Sequence, residues 1–352
     1  MKSIYLKILE LERSGPGLVL ATVIGNVGST PQKPGSSALF ENGKLIAGTV
    51  GGGIVESTVQ LHAGKLTRTR DSVVIHMKLN NNISQKDKAI CGGEISVLID
   101  TNPVLHFSVF EQIRKSLSGG IPGVLITMMK VCSENQVLVN RYWMTMKTSP
   151  AMPDILREKI EQAVQSILTT GKTDDFRSIE LSIREKESPS LVFLEPVFPL
   201  PKLIIAGAGH IGKALSHLGK MLDFEVTVID DRNEFANHDN LTDADYIIVK
   251  DIGEAMKETD KTENTFIVIV TRGHNDDAEA LKSCIGSGAG YIGMIGSKGK
   301  IAKMHDKFIQ KKWATKEQWN RIYSPVGLDI RSQTVEEIAV SIAAQLVQVR
   351  NR

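Results

Sequence analysis

The chain has 352 residues, enough for about two domains that each bury a core. Lysine and arginine number 42 and aspartate and glutamate 40, with no block of five like charges, so neither nucleic acid nor a membrane surface is an expected partner. The sequence has no apolar run near the ~20 residues of a membrane span, no signal-peptide core and no C-x-x-C pair among its three cysteines, so we expect a cytoplasmic protein with free thiols.

Residues 1–188 are predicted to form an α+β domain. The segment GLVLATVIG is typical of a strand, and SSALFENGKLIAGTV predicts a hairpin turning at Asn42 and Gly43, because this pair tolerates the positive φ of a tight turn. A short helix is predicted in IVESTVQLHAG and another near residues 153–169. Further strands are expected at SVVIHMKL, EISVLID, GVLITMMKV and QVLVNRYWM.

Three successive glycines, Gly51, Gly52 and Gly53, precede the first helix, and Glu56 lies in its first turn. Bare backbone at a helix start can bring N–H groups close to an anion. The Glu56 carboxylate would repel a phosphate unless it faces away or accepts N–H groups of the ligand. A planar nitrogen heterocycle with an anionic tail satisfies both features, and the alternative is a tight turn at a domain core.

Cys91 stands before two glycines in the segment CGGE, at the start of a predicted strand. A thiol of low pKa beside exposed N–H groups is a candidate nucleophile, soft-metal ligand or sulfur carrier, and the alternative is an inert small hydrophobe. For Cys132 and Cys284, which have apolar or helical neighbours, we expect the inert role.

A proline-rich segment, residues 189–201, is the predicted linker. Four of the twelve prolines fall within it, and proline removes backbone donors and holds the chain extended. In residues 202–352, short apolar runs (LIIAG, FEVTVID, YIIVK, TFIVIV and YIGMIG) alternate with helical stretches, which predicts a Rossmann-like, doubly wound parallel sheet in a protein of the α/β class. Thr334 and Glu337 have the spacing of a capping box for the last helix.

The segment GAGHIG follows the first of these strands and opens a helix, with His210 between the last two of its glycines, Gly207, Gly209 and Gly212. In this context the first glycine permits the tight turn, the second lets backbone approach a pyrophosphate, and the third lets helix and strand pack closely. The helix start supplies N–H groups and partial positive charge. The pattern predicts a dinucleotide or nucleotide-phosphate site, and the alternative is a plain strand-to-helix turn.

The next strand ends in Asp230-Asp231-Arg232, where an acidic residue is expected to meet a ribose hydroxyl. Asp230 is the predicted ribose ligand. Arg232 would instead suit a 2′-phosphate, so NAD and NADP both remain open.

The segment TRGHNDD is expected at the carboxyl end of a later strand, where open α/β sheets bind ligands. Asp276 or Asp277 is predicted to cap the following helix, which leaves Arg272 and His274 to face the crevice. His274 is a candidate acid, base or ligand, and a hydrogen-bonded structural histidine is the alternative.

The segment GSKGK is expected at the end of the last strand. Ser297 is a predicted helix cap, and Lys298 and Lys300 are candidate phosphate ligands. Ordinary solvated lysines are the alternative.

Several segments together resemble the XdhC/CoxI family, the accessory proteins of xanthine dehydrogenase-type molybdenum hydroxylases. The resemblance is carried, in order, by GSTPQKPG, GTVGGGIVE, CGGE, GAGHIG with DDR, TRGHNDD, YIGMIGSKGK, SPVGLDI and TVEEIAVSI. It covers most of the chain, and the order and spacing of the motifs make it specific.

The resemblance implies a protein that binds the molybdenum cofactor (molybdopterin), supports its sulfuration and delivers it to a hydroxylase. Cys91, Glu56 and His274 are the candidate catalytic residues for that role. A cysteine desulfurase and a second copy of the chain are the further partners it implies. The triple glycine would contact the pterin, across a cleft from the Rossmann loop. Three cysteines are too few for the iron–sulfur centres of the hydroxylase itself, so we expect a cofactor-maturation protein rather than a self-contained enzyme.

The chain departs from the family pattern at two places. Gln32 and Lys33 stand where the family often has arginine after proline, and Arg331-Ser332 replaces the usual Gly-Ala, which leaves the identity of the ligand open. Two other functions remain: an NAD(P)-dependent oxidoreductase, although the chain has no convincing hydride-transfer partner such as Tyr-x-x-x-Lys, and a nucleotide-sensing regulatory module.

Overall fold

The structure is a computed structural model that describes residues 3–11, 17–79, 92–133, 136–181 and 190–351. The chain divides into two compact units, Met1–Pro199 and Leu200–Arg352. None of the helices in the described ranges has the length and apolar character that crossing a bilayer requires.

The first unit is built on one sheet, to which its described residues contribute nine strands in the order β3-β2-β1-β5-β4-β7-β6-β9-β8. Each neighbouring pair is antiparallel. The strands are β1 Leu18–Val27, β2 Ser37–Glu41, β3 Lys44–Gly48, β4 Ser72–Lys78, β5 Glu94–Asp100, β6 Gly123–Val131, β7 Gln136–Met144, β8 Arg177–Leu181 and β9 Ser190–Val197. The helices are α1 Ser3–Glu10, α2 Gly53–Thr69, α3 Phe107–Ser118 and α4 Asp154–Thr170, with a short 3-10 helix at Pro103–His106.

Helices cover both faces of this sheet. Because successive side chains of a strand point to opposite sides, neighbouring residues of one strand pack in different cores. On β1, Val19, Ala21 and Val23 pack in a core with α2, whereas Leu20 packs in a core with α1 and α3. The α+β prediction for the first unit is confirmed.

The predicted hairpin is also confirmed, since Asn42 and Gly43 take φ values of 50° and 78° between β2 and β3. Helix α2 is longer than predicted and continues past Gly64 to Thr69. A Cβ built on Gly43 would lie 3.1 Å from the Cα of Gly64, so the glycine inside the helix serves close packing against the hairpin.

A narrow seam joins β4 to β7 within the sheet. The two strands pair at two positions, Ser72 with Val137 and Val73 with Gln136. Next to the start of β4, Arg141 of β7 donates to Asp100 of β5, and each of these side chains is 1% exposed. A buried ion pair therefore crosses the seam from one group of strands to the other.

The predicted linker at residues 189–201 is wrong for most of its length. Residues Ser190–Val197 form β9, which pairs with β6 on one side and β8 on the other. The segment forms a strand despite its prolines, because the side chains of Val192, Phe193 and Leu194 are buried in the core. The first unit thus extends to residue 199, and β8 and β9 were missed by sequence reasoning.

The second unit is a parallel sheet in the order β12-β11-β10-β13-β14, counted over its described strands. Its strands are β10 Lys202–Ala206, β11 Glu225–Asp230, β12 Tyr246–Val249, β13 Thr265–Ile269 and β14 Tyr291–Met294. Its helices are α5 His210–Met221, α6 Ile252–Glu258, α7 His274–Cys284, α8 Lys298–Gln310, α9 Lys316–Asn320 and α10 Val335–Arg350.

Two cores on opposite faces of this sheet show the doubly wound arrangement. One contains residues of α5 and α10, and the other contains residues of α6, α7 and α8. The Rossmann-like prediction is therefore confirmed. Thr334 and Glu337 form the predicted capping box at the start of α10.

Candidate functional site

The triple glycine forms an open loop at the start of α2. Gly51, Gly52 and Gly53 have φ values of +128°, +63° and +50°, a backbone path that side chains other than glycine rarely follow. A Cβ built on Gly52 or Gly53 would meet no heavy atom of the described residues within 4 Å, whereas one on Gly51 would lie 3.2 Å from Pro31. The loop is thus fixed at Gly51 and open at the next two residues.

Glu56 holds this loop in place. Thr49 Oγ1 donates to Glu56 Oε2 at 2.8 Å, and the backbone N–H of Gly51 donates to Thr49 Oγ1 at 3.1 Å. The carboxylate therefore ends a short hydrogen-bond chain that fixes the entry to the glycines. Sequence reasoning missed Thr49, although its place just before the glycines was a signal for such a contact.

The motif segments of the first unit converge at this edge of the sheet. A Cβ on Gly93 would lie 2.6 Å from the carbonyl oxygens of Val27 and Ser29, and one on Gly28 would lie 3.4 Å from the Cα of Gly93. The backbone of residues 27–29 therefore packs closely against the backbone of Gly93 in the CGGE segment. Cys91 itself lies outside the described residues.

Two large apolar side chains are exposed in these segments. Val27 is 69% exposed at the end of β1, and Ile54 is 47% exposed immediately after Gly53. Gln32, which stands where the family often has arginine, accepts a hydrogen bond from Ser36 Oγ at 2.9 Å, and Lys33 is exposed. The edge thus offers bare backbone, apolar contact and one exposed cation.

The two described cysteines differ from each other. Cys284 is buried, as expected, and burial raises the pKa of its thiol to about 12. Cys132 is not in an apolar core: it is exposed beyond the end of β6 and lines a cavity of about 230 Å³ with His106 and Gln136, and its inert role stays a prediction. Its strand ends one residue earlier, at Val131, so the thiol projects from a turn instead of the core.

The Rossmann glycines each have the geometry that their motif predicts. A Cβ on Gly207, at φ +117°, would lie 2.5 Å from Val270 O, and one on Gly212 would lie 1.9 Å from Gly207 O. A Cβ on Gly209 would meet no heavy atom of the described residues within 4 Å, so backbone there is open to a ligand. His210 is the exposed first residue of α5.

Asp230 is not placed as a ribose ligand in this structure. Its carboxylate is 2% exposed and accepts four hydrogen bonds: from Ala208 N at 2.8 Å, from Arg232 N at 3.0 Å, and from Arg232 Nε and Nη2 at 2.9 Å each. These donors fill the usual capacity of a carboxylate. Asp230 therefore clamps the glycine loop to the end of β11.

The charge state of the clamp follows from these contacts. Burial alone would raise the pKa of Asp230, but hydrogen bonds from the Arg232 side chain and from the amides of Ala208 and Arg232 outweigh it and lower the pKa. Asp230 in turn raises the pKa of Arg232, whose guanidinium also stacks 4.1 Å from the ring centre of Phe235. Arg232 is thus already paired, and not placed as a ready 2′-phosphate ligand.

The TRGHNDD segment is organised differently from the prediction. Helix α7 begins at His274 with Gly273 as its N-cap, so neither Asp276 nor Asp277 caps it. Asp277 is fully buried, accepts from Thr271 Oγ1 at 2.6 Å and pairs with Lys300 of α8. The buried carboxylate in the first turn is therefore paired with a distant lysine rather than with its own helix.

Other candidates at this edge are exposed. Arg272 pairs with Asp231 at 3.0 Å, and His274 is exposed at the start of α7. Ser297 caps α8, as predicted, by accepting from Lys300 N, and Lys298 is exposed. The sequence analysis did not identify Asp231 as a site residue, although it is next to Asp230, the predicted ribose ligand.

The fold and these two loops define a class of protein in which an antiparallel α+β unit with its own glycine loop precedes a Rossmann domain. Residues 203–346 match the XdhC Rossmann domain, and residues 11–77 match the XdhC and CoxI family. The chain belongs to the XdhC and CoxI family.

Relatives extend the likeness over the whole chain. The chain is 25% identical over 341 residues to a probable xanthine dehydrogenase subunit of Bacillus subtilis, covering 95% of this chain and 93% of that protein. It is 29% identical over 152 residues to the uncharacterized protein YqeB of Escherichia coli, covering 43% of this chain and 28% of that one. A crystal structure described as a xanthine dehydrogenase from Bacillus halodurans aligns with a TM-score of 0.75 at 25% identity, covering 99% and 96% of the two chains.

Proposed function

We propose that this chain is an accessory protein of a xanthine dehydrogenase-type molybdenum hydroxylase, which binds the molybdenum cofactor, supports its sulfuration and delivers it. Relatives named for xanthine dehydrogenase support a role beside that enzyme. The chain's three cysteines are too few for the iron–sulfur centres of such a hydroxylase, which supports a partner role instead of the catalytic one.

The observation that carries the proposal is the open backbone at Gly52 and Gly53. The open space around a Cβ built on Gly52 or Gly53 supports a site for a flat pterin, and the exposed side chains of Val27 and Ile54 would offer it apolar contact. Backbone N–H groups at the start of α2 would meet electronegative atoms of the ligand.

Cys91 is the proposed sulfur-handling residue. It precedes Gly92 and Gly93, and Gly93 is packed against the carbonyls at residues 27 and 29. The sulfur would come from a persulfide donor, for which a cysteine desulfurase is the candidate partner. Glu56 acts by fixing the glycine loop through Thr49, and the Rossmann glycines would hold a nucleotide phosphate of the cofactor or of NAD(P).

Binding is tested with two glycine variants of the full chain. Gly52→Ala and Gly171→Ala each place a Cβ in open space at positive φ, with ψ values of −175° and 9°, so Gly171→Ala should cost about 1–2 kcal/mol of stability and Gly52→Ala about 1–3 kcal/mol. Gly52→Ala should weaken co-elution of purified molybdopterin cofactor at least about tenfold, while Gly171→Ala, at the end of α4, should bind like the native chain. Equal binding by the two variants would remove the glycine loop from the site.

The sulfur role is tested with a matched pair of cysteine variants. Cys91→Ala should abolish sulfuration of a purified apo-hydroxylase, measured as cyanide-releasable sulfur, while cofactor binding persists. Cys132→Ala is the control, because Cys132 is an exposed thiol of the first unit. Full sulfuration by Cys91→Ala would show that this thiol carries no sulfur.

A further inference from the structure

An exposed ion pair crosses the carboxyl end of the central strand of the second unit. Arg272 Nη2 lies 3.0 Å from Asp231 Oδ2, and Arg272 Nε lies 3.6 Å from Asp276 Oδ2. Asp231 follows β11 and Arg272 follows β13, and these two strands flank β10. The two side chains together therefore bridge the roughly 10 Å, two strand spacings, between β11 and β13, and they pass over the end of β10, the strand that leads into Gly207.

A nucleotide bound at the glycine loop would lie at this carboxyl end of β10. Ligands of open α/β sheets bind outside the carboxyl ends of the strands at the point where strand order reverses, here between β10 and β13. A pyrophosphate at the start of α5 would extend toward β11 on one side and β13 on the other. The ligand and the Asp231–Arg272 pair thus compete for the same strip of the crevice.

Asp231 and Arg272 are able to change partners, whereas their neighbours are not. Their side chains are 43% and 52% exposed, and an exposed ion pair contributes little to stability. Asp230, by contrast, is buried under four hydrogen bonds, and its guanidinium partner Arg232 is held by two of them. A phosphate can offer Arg272 two parallel charge-assisted hydrogen bonds, which are stronger than the exposed contact it has now.

We propose that Arg272 exchanges Asp231 for a phosphate of a nucleoside diphosphate-containing ligand, and that Asp231 restrains this exchange. The inference rests on the nucleotide role proposed above for the Rossmann glycines. Arg272 is then the specificity residue for the phosphate, and Asp231 is an ionic competitor that the ligand displaces.

The test is calorimetric titration of the full chain with ADP at low ionic strength. Arg272→Ala should weaken binding about tenfold or more, and Arg272→Lys should fall between, because an ammonium cannot form the two parallel bonds. Asp231→Asn should tighten binding about two- to fivefold, since it removes a weak exposed competitor. Asp276→Asn, which removes the 3.6 Å partner, should tighten it less.

The control is Asp243→Asn, which makes the same charge change beside His217, ahead of β12 at the opposite, amino-terminal edge of the sheet. It should leave ADP affinity unchanged. Tightening by Asp243→Asn equal to that by Asp231→Asn would reduce the effect to net charge and overturn the exchange.

Other outcomes also decide against the proposal. Binding weakened tenfold by Asp231→Asn would make Asp231 the ribose ligand, and native affinity in Arg272→Ala would show that Arg272 meets no phosphate. If neither the native chain nor Asp231→Asn binds ADP, both the exchange and the nucleotide role of the Rossmann glycines are wrong. The cofactor role of Gly52, tested by its own variant, would be unaffected.

Discussion

Replacing Asp230 with asparagine should destabilise the second unit by about 3 kcal/mol. The carboxylate is 2% exposed and accepts from four donors, two of them on each oxygen. Asparagine keeps the shape but turns one acceptor into a donor that faces other donors, and each unsatisfied buried group costs about 1–3 kcal/mol. Breaking a buried ion pair costs about 3–5 kcal/mol, and the 21% exposure of Arg232 places this one at the lower end.

Urea unfolding of the full chain, followed by fluorescence, measures this change. Trp313 and Trp319 lie in the second unit and report on it, while Trp143 lies in the first. Asp243→Asn, which loses an exposed contact with His217, should cost less than about 1 kcal/mol.

The effect of pH gives a second check on the clamp. The folded pKa of Asp230 is lowered below its unfolded value of about 3.9, so its contribution is complete above that pH and is lost as the pH falls through the folded pKa. The gap between the native chain and Asp230→Asn should hold from pH 8 to about 5 and close in stronger acid. A gap under about 0.5 kcal/mol at pH 7, or one that persists unchanged in acid, would refute the clamp.

Three further predictions concern other positions. Burial raises the pKa of Glu195 to about 7, although its hydrogen bond with Tyr5 acts in the opposite direction. The free energy of unfolding should therefore fall as the pH rises from about 4 to 7. In urea unfolding, Glu195→Gln should show a smaller fall and should be more stable than the native chain at about pH 8. Gly212→Ala, with its Cβ 1.9 Å from a backbone oxygen, should cost about 3 kcal/mol in the same assay, whereas Gly209→Ala should keep stability and lose ADP affinity in calorimetry. Arg331 has a φ of +60°, so Arg331→Gly should gain about 0.5 kcal/mol, because relief of about 1–2 kcal/mol of strain exceeds the entropy cost of glycine; a lower urea midpoint would contradict this.

The second unit could be predicted from sequence because its signals are local. Each of its strands is a short apolar run, and the three glycines of GAGHIG meet three separate steric needs, including the 1.9 Å approach at Gly212. The Asn42-Gly43 turn was equally local. For Gly212 and for this turn, the residue and the structure that requires it lie within a few positions of one another, whereas Gly207 also makes room for Val270, which follows a later strand.

The rest depended on partners far along the chain. The prolines at residues 196 and 199 indicated a linker, yet β9 is fixed by β6, whose paired residues lie 60 or more positions earlier. Asp277 had the spacing of a cap, but its partner Lys300 comes from another helix. Asp230 was predicted to bind a ribose hydroxyl. In the structure it accepts a hydrogen bond from the amide of Ala208, 22 residues earlier, and so holds the glycine loop.

The seam between β4 and β7 divides the first sheet into two groups of strands that can unfold at different free energies. Two paired positions are a thin backbone connection between five strands and four, so the contact between the groups relies on side chains: the buried Asp100–Arg141 pair and two apolar cores to which both groups contribute residues. Native-state hydrogen exchange would then release the amide protons of the two groups as separate sets. Local opening would begin at this junction, and the outer strands of each group could keep their order while it is open.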